Sequence, residues 1–410
     1  MTTLDVQVDP AAVGLDPERL GRIAPHFDAH VKQGHLAGWL SAIGRDGQVA
    51  WVGHGGLRHE ANDLAVTSDT IWRVYSMTKP VTSLAAMMLY EEGRFDLNDE
   101  VAMWLPEFAA PEVYVKGPVE EPVTRPAAGP IRVWHLLTHT AGLTYGFQRS
   151  HPVDAIYRHR GFDFGQPKDL DLAGAVSEWA NAPLVFDPGT AWNYSVATDV
   201  VGRLVEVWSE LTLDEFFRTR IFEPLGMSDT GFFCPEASLE RLAELYVYSR
   251  GDSHRPGGAM SVAATRPPAM LSGGGGLVST AHDYHRFATM LLQGGSLGDV
   301  RLVAPGTIAL MSTNLLPGGA DLESLAQDSF SEVSMSGIGF GLGLSCVIDQ
   351  ARNRMPTSEG TVSWGGAAST TFWVDPVEDL TVVFFTQLLP SSSYPIRREL
   401  QRLVYQSIVD

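Results

Sequence analysis

The strand-forming stretches of this sequence lie at its two ends. Near the start, Trp39-Leu40-Ser41-Ala42-Ile43-Gly44 and Val49-Ala50-Trp51-Val52-Gly53 flank Arg45-Asp46-Gly47, a turn signal between two β-rich runs. From about Gly337 the chain turns β-rich again. Gly339 to Leu344, Thr361 to Trp364, Thr370 to Asp375 and Leu380 to Thr386 read as antiparallel strands with turns between them. The middle carries helical patterns instead. The simplest architecture is a mixed sheet built from both termini with a helical domain inserted between. This divides the chain into residues 1–60 with 335–410, a sheet with terminal helices, and a mainly helical domain over 61–334.

The helical part opens on Arg73-Val74-Tyr75-Ser76-Met77-Thr78-Lys79-Pro80, at the expected interface of the two domains. Leu84, Met87, Met88 and Glu91 recur at helical spacing, Pro80 sits in a first turn that needs no N–H from it, and Gly93 is a stop. Ser76 and Lys79, three residues apart, therefore share one helix face, where an amine can reach a hydroxyl. That is the arrangement of a nucleophile and its base. A lysine becomes a base only after losing its charge, and burial together with the helix N-terminus would lower its pKa. The bland alternative is a capping serine followed by a solvated lysine.

Length and charge narrow the rest. A chain of 410 residues with 44% hydrophobic content can bury a large core in one or two domains. Its formal net charge of -19 argues against nucleic acid and anionic membrane surfaces as partners. No uninterrupted apolar run is long enough to span a bilayer, and Met1 to Pro10 lacks a basic end and an apolar stretch, so a cytoplasmic protein without a secretory signal is expected. Cys234 and Cys346 have neither metal-ligand nor redox spacing and are expected to be buried. No metal site and no cofactor are expected.

Between the ends, a helix is expected from Asp16 to about His35, a short helical segment from Asp96 to Leu105, and an ordered surface loop over 106–130. Further helices are expected at 134–142, 172–182, 198–209, 213–221, 281–292 and 395–408. His139 has no acidic residue beside it in sequence and reads as a histidine that satisfies backbone groups rather than a general base. Gly273 to Gly276 lacks a following Gly-Lys-Ser/Thr and reads as a tight backbone passage, not a phosphate loop. Gly294-Gly295-Ser296-Leu297-Gly298 follows a helix rather than a strand, so Ser296 is a turn serine. Trp134, Tyr145, Phe147, Tyr157 and Phe162 are expected to border a pocket, from their loop placement.

Three motifs in order, Tyr75-Ser76-Met77-Thr78-Lys79-Pro80, Tyr194-Ser195 after Pro188-Gly189-Thr190, and Trp364-Gly365-Gly366, resemble the family VIII carboxylesterases. These belong to the superfamily of penicillin-binding proteins and class C β-lactamases. Leu136 to Leu143 and Gly274 to Thr280 support the likeness, which covers nearly the whole chain. The resemblance implies an α+β (α/β) β-lactamase-like fold, with an antiparallel sheet from both termini. It implies that Ser76 attacks an acyl carbonyl, that Lys79 and Tyr194 handle its proton, and that the backbone N–H groups of Ser76 and Ala367 form an oxyanion hole. Tyr75, Trp364, Gly365 and Gly366 would line the substrate site.

Two departures from the β-lactamase pattern bear on substrate. No lysine follows Lys168, so the Lys-Thr-Gly that helps hold a β-lactam carboxylate is absent, and Val196 stands where Tyr-x-Asn would carry an amide. The expectation is a cofactor-free esterase acting on short or medium acyl esters through an acyl-enzyme, with weak or no β-lactamase activity. The rivals are an acyltransferase of the same fold, a β-lactamase or D-amino-acid peptidase, and a non-catalytic binding or sensor protein on a hydrolase scaffold.

Overall fold

Strands from the two ends of the chain pair with one another in a computed structural model that describes residues 4–164, 167, 169–249, 251, 253–326 and 335–409. Met1 to Thr3, Lys168 and the domain boundary expected at 334 lie outside the described residues. The first hairpin is β1 (Gly38–Arg45) and β2 (Gln48–His59), followed by the short edge strand β3 (Leu64–Ala65). The C-terminal part supplies β4 (Ile338–Phe340), β5 (Ser345–Val347), β6 (Val362–Gly365), β7 (Thr371–Asp375) and β8 (Leu380–Phe385). Among the described residues these eight strands form one sheet in the order β4-β5-β6-β7-β8-β1-β2-β3. All neighbours are antiparallel. The seam between the two ends is β1 on β8, with Leu40 opposite Phe385 and Ala42 opposite Val383.

Every residue of β1, β7 and β8 is buried, because both faces of the sheet are covered. The period of two sorts their side chains. Trp39, Ile43, Val382 and Phe384 belong to a core shared with Phe27, Leu400 and Val404. These come from the terminal helices α1 (Ile23–Lys32) and α5 (Ile396–Tyr405). Leu40, Ala42, Val383 and Phe385 point the other way, into a larger core with the helical part. There α4 (Ala281–Leu292) packs on β7, β8 and β1.

The centre of the helical part is α2 (Thr78–Glu91), in which every residue from Thr78 to Leu89 is buried. It is a core helix, and α3 (Ala197–Ser209) lies against it. We propose the division into 1–60 with 335–410 and 61–334, since the large sheet takes nearly all its strands from the first set and α2 and α3 come from the second. The two share one core, in which Leu84 and Val201 cluster with Leu40 and Phe385.

Several local expectations change. The helix expected from Asp16 to His35 is broken into Pro17–Leu20 and α1, as the first piece, capped by Asp16, ends at Gly21. The run Gly339 to Leu344 is a strand end and a turn between β4 and β5 rather than one strand. The loop over 106–130 contains a hairpin, Glu112–Lys116 with Val123–Pro126. The helix expected over 134–142 closes at Leu137, where His139 turns the chain with a φ of +57°. A three-stranded sheet of Tyr246–Ser249, Ser253–Pro256 and Leu388–Leu389 has no counterpart in the sequence reading. No described helix is long and apolar enough to cross a membrane.

Candidate active site

Ser76 lies in a single 3-10 turn, Tyr75–Met77, that leads directly into α2. Tyr75, just before it, has a φ of +45°, a left-handed conformation that costs a bulky side chain about 1–3 kcal/mol. The surrounding chain holds it there. A Cβ at position 366 would lie 2.3 Å from the Val74 carbonyl oxygen, so only glycine lets the β6–β7 turn approach this closely. That approach brings Gly366 and Ala367 to the start of the Ser76 turn, and all three residues line one cleft.

Lys79 is fully buried, and its Nζ is 3.3 Å from Ser76 Oγ, 3.0 Å from the Tyr145 hydroxyl and 2.6 Å from the Gly274 carbonyl oxygen. Burial lowers its pKa from 10.5 to about 7, while the carboxylate of Asp199 pulls the other way. A neutral amine has two N–H donors and one lone pair. The Gly274 carbonyl can only accept, so it takes one N–H. Tyr145 can accept the second, which leaves the lone pair for the Ser76 proton. Tyr145 itself stays a neutral phenol, since burial and the negative charge of Asp199 push its pKa well above the usual value.

Asp199, on α3, is buried and accepts from Ser272 Oγ at 2.6 Å and from the Gly274 N–H at 3.0 Å. A Cβ at position 274 would lie 2.4 Å from Asp199 Oδ2 and 3.0 Å from the Tyr145 hydroxyl. The glycine run is thus the tight passage expected from sequence. Its additional use, a carbonyl aimed at Lys79, was not legible there.

Tyr194 places its ring 4.4 Å from the Lys79 amine, in cation–π geometry, and its hydroxyl accepts from Trp364 Nε1 at 3.3 Å. His139 packs against the Tyr194 ring at 4.9 Å, with Nδ1 3.1 Å from Ser195 Oγ and Nε2 3.4 Å from Thr198 Oγ1. Burial, reinforced by the Lys79 charge, drives its pKa well down, so it is a neutral packing group. Its side-chain partners are hydroxyls rather than the backbone groups expected.

The cleft has a volume of about 1460 Å³. Ser76, Tyr75, Tyr194, Trp364, Gly365, Gly366 and Ala367 all line it, as do Tyr145, Phe147, Tyr157 and Phe162. Trp134 does not; its ring packs tilted against His135 instead, at 4.1 Å between ring centres. No group of three metal-ligating side chains occurs here among the described residues. The sequence reading missed Asp199 altogether and saw Tyr145 only as a wall.

The Lys79–Tyr145 bond has a measurable consequence. Tyr145→Phe is expected to lower kcat for a small ester about 10-fold to 100-fold, the value of a hydrogen bond to a charged group. Because the phenol no longer accepts an N–H from the ammonium form, the acidic limb of the pH profile should move to lower pH. A residue that only lined the cleft would change KM and leave the limb in place.

A two-ended antiparallel sheet with a cleft serine beside a buried lysine on its helical side defines a serine hydrolase of the β-lactamase fold. The chain belongs to the Beta-lactamase family, whose profile matches residues 23–406, within the superfamily that also holds the penicillin-binding proteins. Protein Rv1367c of Mycobacterium tuberculosis (strain ATCC 25618 / H37Rv) is 36% identical over 365 residues, 88% of each chain. Esterase EstB of Burkholderia gladioli is 30% identical over 416 residues, covering 97% of this chain and 98% of the esterase. Among solved structures, EstCE1, a hydrolase with promiscuous acyltransferase activity, superimposes with a TM-score of 0.78 at 27% identity, over 95% of this chain and 98% of EstCE1.

Proposed function

We propose that the chain is a carboxylesterase that cleaves esters with a short or medium acyl group through an acyl-enzyme on Ser76. The observation that carries this reading is the fully buried Lys79, with a pKa near 7 and its amine 3.3 Å from the Ser76 hydroxyl. Ser76 Oγ bonds to the carbonyl carbon as its proton passes to Lys79 and Tyr194. The N–H groups of Ser76 and Ala367 hold the oxyanion. Collapse breaks the bond to the alcohol oxygen, which takes the proton from the same pair. Water then repeats the sequence and releases the acid.

Tyr75, Trp364, Gly365 and Gly366 would contact the ester. The cleft exceeds the ~300–1,000 Å³ usual for a small ligand, which favours a bulky apolar alcohol part. The same spare room supports the second reading, an acyltransferase whose acceptor alcohol occupies the cleft in place of water, and EstCE1 is described as having both activities. A β-lactam is a poorer fit. Besides the absent lysine and the Val196 already noted, Arg397 beside Trp364-Gly365-Gly366 donates to the Gly366 and Thr370 carbonyls at 2.7 and 2.8 Å.

The test compares nitrophenyl butyrate with a chromogenic cephalosporin, each with and without a primary alcohol. Hydrolysis of the butyrate with kcat/KM at least ~100-fold above the cephalosporin is expected, a gap of about 2.7 kcal/mol in transition-state binding. Preference for the cephalosporin would overturn the esterase reading. Butyrate leaving mainly as the alcohol's ester, at alcohol concentrations far below that of water, would replace it with the acyltransferase.

A further inference from the structure

His26 and His30 stand four residues apart on α1, so their rings leave the same face, toward the C-terminal helix α5. Glu399 of α5 meets them there. Its Oε2 is 3.1 Å from His26 Nε2 and 3.0 Å from His30 Nε2, and the three donor atoms all lie within 4.8 Å of one another. Ligands about 2.0–2.2 Å from a tetrahedral zinc ion stand roughly 3.3 Å from each other. Both His–Glu399 distances are therefore within a few tenths of an ångström of that spacing, and the two histidine nitrogens lie within 4.8 Å of each other.

The surroundings also suit an ion. His30 Nδ1 is 3.2 Å from His35 Nδ1, and the His35 ring stacks on Tyr394 at 4.1 Å. Without an ion, His30 Nε2–H donates to Glu399 Oε2 at 3.0 Å. With the ring proton moved to Nδ1 and donated to His35, a bare Nε2 would face an ion, the tautomer a metal requires and the kind of outer bond that orients metal-bound histidines. The side chains of His30 and Glu399 are only 12% and 17% exposed, whereas His26 is 36% exposed. One side of the group is thus open for an ion to enter and for water to complete its coordination. Binding needs no loss of protons from neutral rings, only that each carries its proton on Nδ1.

We propose that His26, His30 and Glu399 form a site for a divalent transition-metal ion of the zinc class, which fastens the N-terminal helix to the C-terminal one. Two imidazoles and one carboxylate are a borderline donor set, suited to zinc and its neighbours and not to calcium or magnesium. The site lies on a partly exposed face between the two terminal helices and takes no part in the chemistry proposed for Ser76. Sequence spacing did not reveal it, because Glu399 is 369 positions from His30.

Untagged, chelator-stripped full-length protein titrated with Zn²⁺ should bind one equivalent at micromolar concentration or below. Its melting temperature should rise by about 2–4 °C at saturation, as expected for a ligand bound only by the folded state. His26→Gln, at a partly exposed position that folding does not depend on, and Glu399→Gln should each weaken binding at least ~10-fold and abolish the shift in melting temperature. Wild type that binds no stoichiometric Zn²⁺, or binding that survives both substitutions, would overturn the proposal.

Discussion

Ser76→Ala is expected to lower kcat/KM for nitrophenyl butyrate by about 10⁴-fold or more, since members of a nucleophile–base unit fail together rather than additively. The residual rate would come from the oxyanion donors and the cleft, which alanine leaves in place. Covalent labelling by a fluorophosphonate should vanish with the activity. Folding is not at stake, because the substitution removes one oxygen at a partly exposed position. The measurement is steady-state kinetics beside an intact-mass spectrum. Full ester turnover by the variant would show that the nucleophile lies elsewhere.

Lys79→Met should cost about as much activity and yet stabilise the protein at neutral pH. Its pKa falls from 10.5 unfolded to about 7 folded, so charging it in place is unfavourable. At 1.36 kcal/mol per unit the difference corresponds to roughly 5 kcal/mol. For a base with a depressed folded pKa, the unfolded chain holds more protons between those two values. The cost is therefore complete below about pH 7 and disappears as the pH rises through 10.5. Methionine keeps the apolar stem but leaves the Gly274 carbonyl and the Tyr145 hydroxyl without the amine, which offsets part of the gain. Thermal melts should show a variant more stable than wild type by a few kcal/mol at pH 6–7, with the gap closing toward pH 10. A variant less stable at pH 6 would mean that Asp199 compensates the charge in full. In the wild type, kcat/KM should rise with pH through about 7 as the amine loses its proton.

Much of this was legible in the chain because it is local. A spacing of three puts Ser76 and Lys79 on one helix face wherever that helix lies. The hairpin at Arg45-Asp46-Gly47 follows from its turn residues, and α4 begins after the capping threonine and runs over the residues that its pattern gave. Contacts between distant segments left no such mark. Tyr145 lies 66 positions from Lys79 and Gly274 lies 195 away, and nothing in their own surroundings names a lysine as partner. Asp199 reads as one polar residue among several in an amphipathic helix until its carboxylate is seen under the Gly274 N–H.

By itself the sequence determined the sheet-forming ends, the helical middle, the serine–lysine pair and the family, all of which depend on residue periodicity or on short ordered motifs. Only the tertiary structure decided that Lys79 is fully enclosed, that Tyr145 and Gly274 occupy its other hydrogen bonds, and that Trp364 donates to Tyr194. The reason is physical. Burial and long-range hydrogen bonds are properties of the packed chain, and they set a lysine's pKa, whereas periodicity is a property of each segment alone.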